Sequence, residues 1–272
     1  MLLIKVFDFD KKLKLGKDVK LTLDNRLQTI VYNHLKAGMI KFEAKAAVGI
    51  ILNVNNGEIL AATSIPDFNP NLRNQHNTGD RINRITMANY ELGSIFKSFT
   101  IASALNENLI NIDSMFDASK PFIVKGTTVK DFHAKNRILD LKEVFLYSSN
   151  IGSSIIAMKL GKDKQNKYFE ELGLNKTLNS GILEMSSPIF PQVVSESDIV
   201  VRSFGYGISV NPLQALAALA VTVNGGSYIE PMIVDDATYK KRPSVQVFKP
   251  EVSKIMRYLY RSCLLYTSPS PR

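Results

Sequence analysis

The spacing of apolar and polar positions divides the chain into a short β-rich start and a long helical remainder. From Leu23 onward, Leu27, Ile30, Val31, His34 and Leu35 share one face at helical spacing, and Asp24 is placed to cap that helix. Two runs follow, AAVGIILNV (46–54) and EILAAT, on either side of Asn55-Asn56-Gly57, which is the pattern of a β-hairpin. The stretch SIPDFNPNLRNQHNTGDRINR is rich in Pro, Asn and Gly and reads as a long irregular loop, of the kind that carries function beside a rigid sheet. Beyond it the apolar period is helical. Helices are expected over 94–106, 141–147, 152–160 and 163–172, then from Pro212 through Thr222 to a stop at Asn224-Gly225-Gly226. A last helix should run from near Pro250 to about Arg261. No later strands are visible, and two strands alone are marginal. The sheet reads as incomplete.

Composition narrows the function classes. A chain of 272 residues with 45% apolar and 22% charged residues has enough apolar material for one large domain or two modest ones. The net charge of +9 comes from scattered lysines, with no arginine-rich block and no basic stripe interleaved with aromatics. That distribution describes a solvated surface and argues against nucleic acid as partner, while remaining compatible with an anionic envelope polymer or membrane surface. The single cysteine, Cys263, rules out a disulfide framework, and His34, His76 and His133 lack ligand spacing, so no metal chemistry is expected. The longest apolar run, around 213–223, has the length of a core helix and is too short to span a membrane. The opening MLLIKVFDFDKK turns charged too early for a secretion signal.

Candidate chemistry lies in YELGSIFKSFT, where Ser94 is the only serine followed three residues later by a lysine, Lys97. A serine hydroxyl is a poor nucleophile unless a base lies within hydrogen-bond reach, and a lysine is such a base only when its pKa is lowered. At helical spacing both side chains share a face, and a helix N-terminus favours negative charge developing on the serine. Alone, the pair describes a capping serine with a surface lysine far more often than an activated nucleophile. Fifty-odd residues on, FLYSSNIGSS holds Ser148-Ser149-Asn150, whose hydroxyl and amide suit proton relay and the holding of a substrate amide. Taken alone, S-x-N is also weak, since Ser209-Val210-Asn211 has the same form.

The phrases DVKLTLDNRLQ, GIILNVNNGEILAATSIPDFNPN, NRITMANYELGSIFKSFTIASAL, VKDFHAKNRILDLKEVFLYSSNIG, SFGYGISVNPLQALAALAVTVNGG and EPMIV, in this order over roughly 17–261, decide the matter. The sequence resembles the transpeptidase domain of class B penicillin-binding proteins, most like the division-specific peptidoglycan D,D-transpeptidases. The resemblance implies an α+β, penicillin-binding/β-lactamase-like fold in which the helical half and an N-terminal β-hairpin are present and later sheet strands are not. It implies that Ser94 is the acylated nucleophile, Lys97 its base, and Ser148 and Asn150 the pair that passes protons and binds the peptide amide. The implied reaction crosslinks stem peptides by acyl transfer from D-Ala-D-Ala, is blocked by β-lactams, and needs no cofactor or metal. By analogy, the full-length parent sits in the bacterial inner membrane with this domain in the periplasm, beside a glycosyltransferase and division proteins. Rival readings are a relative that hydrolyses its acyl-enzyme, such as a D,D-carboxypeptidase or class D β-lactamase, and a non-catalytic interaction or sensor protein of the same fold.

The family's third motif, Lys-Ser/Thr-Gly, supplies a cation for the substrate carboxylate, and this sequence has none. Lys125-Gly126-Thr127-Thr128 has the wrong order and position to replace it. The final CLLYTSPSPR back-translates to something resembling a sequencing-library adapter. Residues 1–261 are therefore expected to be a partial transpeptidase domain, 262–272 read-through, and the chain itself inactive or nearly so. Blander readings apply elsewhere: Phe204-Gly205-Tyr206-Gly207 as a tight turn into a helix, Asp67 and Asp80 as capping or solvated carboxylates, and His133 as structural.

Overall fold

The computed structural model describes residues 18–69, 71–72, 78–193, 195–236 and 243–267. Asp24 accepts hydrogen bonds from the N–H groups of Arg26 and Leu27 and starts helix α1 (Asn25–Lys41) as expected. Strands β1 (Ala47–Leu52) and β2 (Ile59–Ile65) pair antiparallel as the hairpin the sequence predicts. Gly49 of β1 lies against Val31 and Leu35 of α1, so closely that a Cβ there would stand 2.8 Å from both side chains. The inward face of α1 is accordingly Leu27, Val31 and Leu35, narrower than the sequence pattern suggests. Ile30 and His34 point outward because a two-stranded hairpin is too narrow to cover them. The opposite sheet face, with Val48, Ile50 and Ile59, packs on Ile85, Leu178 and Leu213.

The two hairpin edges are treated differently. At Ala62 on β2, the carboxamide of Gln28 accepts from the N–H at 2.8 Å and donates to the C=O at 2.8 Å, substituting for a neighbouring strand. Near the start of β2, Ile59 N–H donates to Met232 and the Met232 N–H to Gly57. Among the described residues no strand pairs with the other side of β1, whose six residues are all half-buried, and an open cleft of about 500 Å³ lined by Ala47, Val48, Tyr90 and Pro212 runs beside it.

Short strands appear where the apolar pattern predicts none. β3 (Met115–Asp117) pairs with β6 (Ile138–Asp140), and β4 (Phe122–Val124) with β5 (Thr127–Val129). At three residues each, they are too short to show alternation. Lys125 and Gly126, with φ of 43° and 84°, form the tight turn between β4 and β5, which explains structurally why this segment only mimics a functional motif. A final two-residue pair joins β7 (Ser227–Tyr228) to β8 (Val245–Gln246).

The helical half surrounds α2 (Lys97–Asn106), whose residues from Lys97 to Leu105 are all buried. Such all-round burial marks a central core helix. Phe96 meets Phe99 and Phe169 edge-on at 5.3 and 5.7 Å. Around it stand α3 (Leu141–Leu146), α4 (Asn150–Leu160), α5 (Lys162–Glu171), α6 (Glu196–Arg202), α7 (Pro212–Val221) and α8 (Pro250–Thr267). The boundaries of α3, α4, α5 and α7 fall within two residues of expectation. α6 carries a legible signal that the apolar period hides: Ser195 and Asp198 form a reciprocal capping box. α8 continues past Arg261 through Thr267, because the segment holds no Pro or Gly before Pro269, although Leu264 and Leu265 remain exposed.

Candidate active site

Ser94 lies in a single 3₁₀ turn, Gly93–Phe96, that leads directly into α2, so Lys97 begins the α-helix proper. The N-cap positions of the turn and of α2 are held by Leu92 and Phe96, so Ser94 stands at neither, which removes the simple N-cap reading. Gly205 shapes this turn. Its φ of 87° and its packing against the Gly93 backbone leave no room for a side chain, since a Cβ would fall 2.1 Å from the Gly93 carbonyl oxygen. The Gly207 N–H also donates to the Glu91 carboxylate at 2.8 Å. The Phe204–Gly207 segment is thus more than a turn into a helix: it is the wall against which the Ser94 turn rests.

Lys97 is 2% exposed, whereas Ser94 and Ser148 are both open to solvent. The Lys97 Nζ stands 3.1 Å from Ser94 Oγ, 2.8 Å from Ser148 Oγ and 2.6 Å from the Ser148 carbonyl oxygen. Burial pushes this ammonium down to about 8 from the ordinary lysine value, and the negative charge of Asp131 partly opposes the shift. Ser148 has a φ of 53°, rarely adopted by a residue with a β-carbon, and this conformation turns both its carbonyl and its hydroxyl toward Lys97.

Ser149 is fully buried and caps α4 by accepting from the Gly152 N–H at 2.9 Å. Asn150, the first residue of α4, donates from Nδ2 to the Lys130 carbonyl at 3.1 Å. All four residues singled out in the sequence, Ser94, Lys97, Ser148 and Asn150, therefore meet at one place: Ser94, Ser148 and Asn150 line a cleft of about 390 Å³ and Lys97 lies beneath it. Its other walls are Phe132, His133, Tyr147, Phe204 and Tyr206. His133 is a correction: it is exposed and stacks edge-on against the 91%-exposed Phe132, so it is a cleft residue without a core role. Sequence reasoning passed over Asp131 and Tyr147, and read Tyr206 only as part of a tight turn. Asp67 lies in a separate cleft with Phe68 and Arg81, and the Asp80 side chain lies outside the described residues, as does His76.

Among the described residues no group of three His, Cys, Asp or Glu side chains could hold a metal ion, and no helix is long and apolar enough to cross a membrane. The site's chemistry is that of hydroxyls, an amine and an amide.

A central buried helix headed by a Ser-x-x-Lys turn, with a second serine loop opposite and a hairpin alongside, defines an α+β architecture known from solved structures. It is shared with a crystal structure of a peptidoglycan glycosyltransferase from Burkholderia ambifaria, at 25% identity and a TM-score of 0.81 over 90% of this chain and 74% of that one. The TP domain of penicillin-binding protein 3 from Burkholderia pseudomallei has the same fold, at 24% identity and a TM-score of 0.79 over 90% and 70% of the two chains. Residues 47–262 match the penicillin binding protein transpeptidase domain, and the chain belongs to that family. Among curated relatives, it is 35% identical over 211 residues to the probable peptidoglycan D,D-transpeptidase FtsI of Caulobacter vibrioides, covering 78% of this chain and 36% of that protein. It is 32% identical over 263 residues to stage V sporulation protein D of Bacillus subtilis, covering 91% and 41%. The chain thus spans well under half the length of these two relatives.

Proposed function

We propose that this chain is part of a peptidoglycan D,D-transpeptidase that works through an acyl-enzyme on Ser94 and is a target of β-lactams. One observation carries the reading: a single buried amine, Lys97 Nζ, lies within hydrogen-bond distance of two exposed hydroxyls, Ser94 and Ser148.

The amine's three contacts match the three protons of an ammonium. The Ser148 carbonyl can only accept, so that contact always takes one N–H. Once Lys97 loses a proton, its lone pair is free to take the Ser94 proton. Ser94 Oγ then attacks the carbonyl carbon of the penultimate D-alanine, and the C–N bond to the terminal D-alanine breaks. The leaving amine receives its proton from Lys97 by way of the Ser148 hydroxyl, which leaves Lys97 neutral again. An amine of a neighbouring stem peptide attacks the ester by the same path in reverse, forming the crosslink and restoring Ser94. With Asn150 Nδ2 tied to Lys130, its carboxamide oxygen is the group that accepts from a substrate N–H.

The sequence contains no Lys-Ser/Thr-Gly segment to bind the substrate carboxylate, so these 272 residues on their own are expected to be acylated far more slowly than a complete site. By family analogy the partners are a glycosyltransferase and division proteins, and the working side is the periplasmic face of the inner membrane.

The test is prolonged incubation with excess penicillin, followed by peptide mapping. A persistent penicilloyl adduct on Ser94, absent in Ser94→Ala, is the expected result. An adduct that turns over within minutes would favour a hydrolytic relative, and no adduct at all would favour a non-catalytic protein of this fold.

A further inference from the structure

The loop carrying Ser148 needs support, because its φ of 53° is held against the intrinsic preference of a serine. The support comes from outside the motif. Asp131 Oδ2 accepts from the Ser149 hydroxyl at 2.7 Å, and Asp131 Oδ1 accepts from the Ile151 N–H at 2.9 Å. One carboxylate thus grips the residues on either side of Asn150, while the preceding carbonyl, Lys130 O, accepts from Asn150 itself. The Ile151 N–H is one of the donors at the start of α4 that have no acceptor within the helix, a position that favours an acceptor with negative charge.

Asp131 has a firm base. It follows β5, whose Val129 packs with Val124, Val200 and Phe204 in a small apolar cluster. Phe204 also lines the Ser94 cleft. The β4–β5 hairpin therefore links the wall beside Ser94 to the loop of Ser148.

We propose that Asp131 is a positioning residue of this site, clamping the Ser149–Ile151 turn so that Ser148 stays within reach of Lys97. The inference rests on the functional reading above, and it assigns a role to a residue that no short motif marks. Asp131 acts at two levels. Its geometry fixes the turn, and its charge favours the protonated form of Lys97. Four other charged groups near α2 have partners away from Lys97. Glu107 pairs with Lys164 beyond the far end of α2, Arg202 donates to Asn166 and Pro191, Arg257 donates to Val223, and Glu91 accepts from Gly207. His133, Tyr147 and Tyr206 are the titratable groups in the cleft itself.

Two substitutions separate the levels. Asp131→Ala removes both acceptors. Asp131→Asn keeps the shape and one acceptor but removes the charge. Hydrogen exchange of the 148–152 segment, read by mass spectrometry, is expected to accelerate at least tenfold in Asp131→Ala, with α2 and α5 as protected as in the wild type. A ¹³C titration of the lysine side chains, with the Lys97 signal assigned by its loss in Lys97→Met, is expected to show a lower midpoint in Asp131→Asn. A merely structural role would not move that midpoint. Ser94 acylation at neutral pH should fall at least tenfold in Asp131→Ala and less in Asp131→Asn.

Unchanged exchange together with an unchanged Lys97 midpoint would overturn the clamp. If Asp131→Ala loses protection throughout the chain, the Asp131→Asn midpoint decides. A wild type that is never acylated at Ser94 defeats the functional reading instead, and exchange and titration still decide the clamp.

Discussion

Lys97 and Ser148, 51 positions apart in sequence, share two hydrogen bonds, one to the serine's hydroxyl at 2.8 Å and one to its carbonyl at 2.6 Å. The second contact has no counterpart in the motif as read from sequence. It uses the backbone, so replacing the Ser148 side chain leaves half of the connection in place. Ser148→Ala is therefore expected to keep Lys97 buried and its titration near that of the wild type, while slowing Ser94 acylation at least tenfold through loss of the proton relay. Comparison of the lysine titration with the acylation rate in this variant checks the point. A large change in the Lys97 midpoint would show that the hydroxyl holds the amine in place.

Burial of the Lys97 amine has a consequence for stability. Its folded value of about 8 lies below the ordinary lysine value of 10.5. Between those two pH values the unfolded chain holds a proton that the folded chain has released, so this group makes stability rise with pH across that window, by about 3 kcal/mol at most. Lys97→Met removes the group and should flatten the slope. Denaturant unfolding at pH 7 and at pH 10 measures it. Equal slopes in both proteins would mean that the buried amine does not titrate in this window.

Gly205 sits against the Gly93 backbone at the entrance to the Ser94 turn. A methyl group there meets main-chain atoms that cannot rotate away, and a φ of 87° is itself unfavourable for alanine. Gly205→Ala should cost about 2 kcal/mol or more and slow Ser94 acylation even where the protein remains folded. By contrast Gly207, with nothing within 4 Å of where a Cβ would stand, should tolerate alanine with a smaller loss that comes from its positive φ alone. Unfolding midpoints of the two variants make the comparison.

The Ser203 carbonyl, just past α6, accepts from Thr100 on α2 and from Ser153 on α4, each at 3.0 Å. Either donor alone satisfies it. Thr100→Val and Ser153→Ala are each expected to cost about 1 kcal/mol, and the double variant more than their sum, because only then is a buried carbonyl left without a partner. A double-mutant cycle by chemical denaturation tests this, and strict additivity would contradict it.

The parts legible in the sequence were those with local signatures. Asp24 announces its helix, Asn55-Asn56-Gly57 its hairpin, and Ser94 and Lys97 lie within one helical turn of each other, so local spacing brings them together. Ser94 lies near Lys97 and Ser148, and Ser94, Ser148 and Asn150 line one cleft. Asp131 escaped because its partners, Ser149 and Ile151, lie 18 and 20 positions away, and a lone acid in a polar loop carries no period. Strands of two or three residues escaped for the same lack of repeat. The outward turn of Ile30 and His34 on α1 reflects how narrow its covering sheet is, a tertiary fact that helical spacing does not contain. The extension of α8 through Thr267 shows the reverse case, a helix continuing on backbone propensity where exposed leucines give no packing reason for it.

Activation of Ser94 by Lys97 is read from the pH dependence of Ser94 acylation by a small ester that carries no carboxylate, such as p-nitrophenyl acetate. Such a probe does not depend on a cation for the substrate carboxylate, and peptide mapping separates the Ser94 adduct from acetylated surface lysines. The rate at Ser94 is expected to rise with pH through a midpoint near 8 and then level off, and to be lost in both Ser94→Ala and Lys97→Met. A Ser94 rate that climbs in proportion to hydroxide without levelling, or that survives Lys97→Met, would mean that Lys97 is not the base for Ser94.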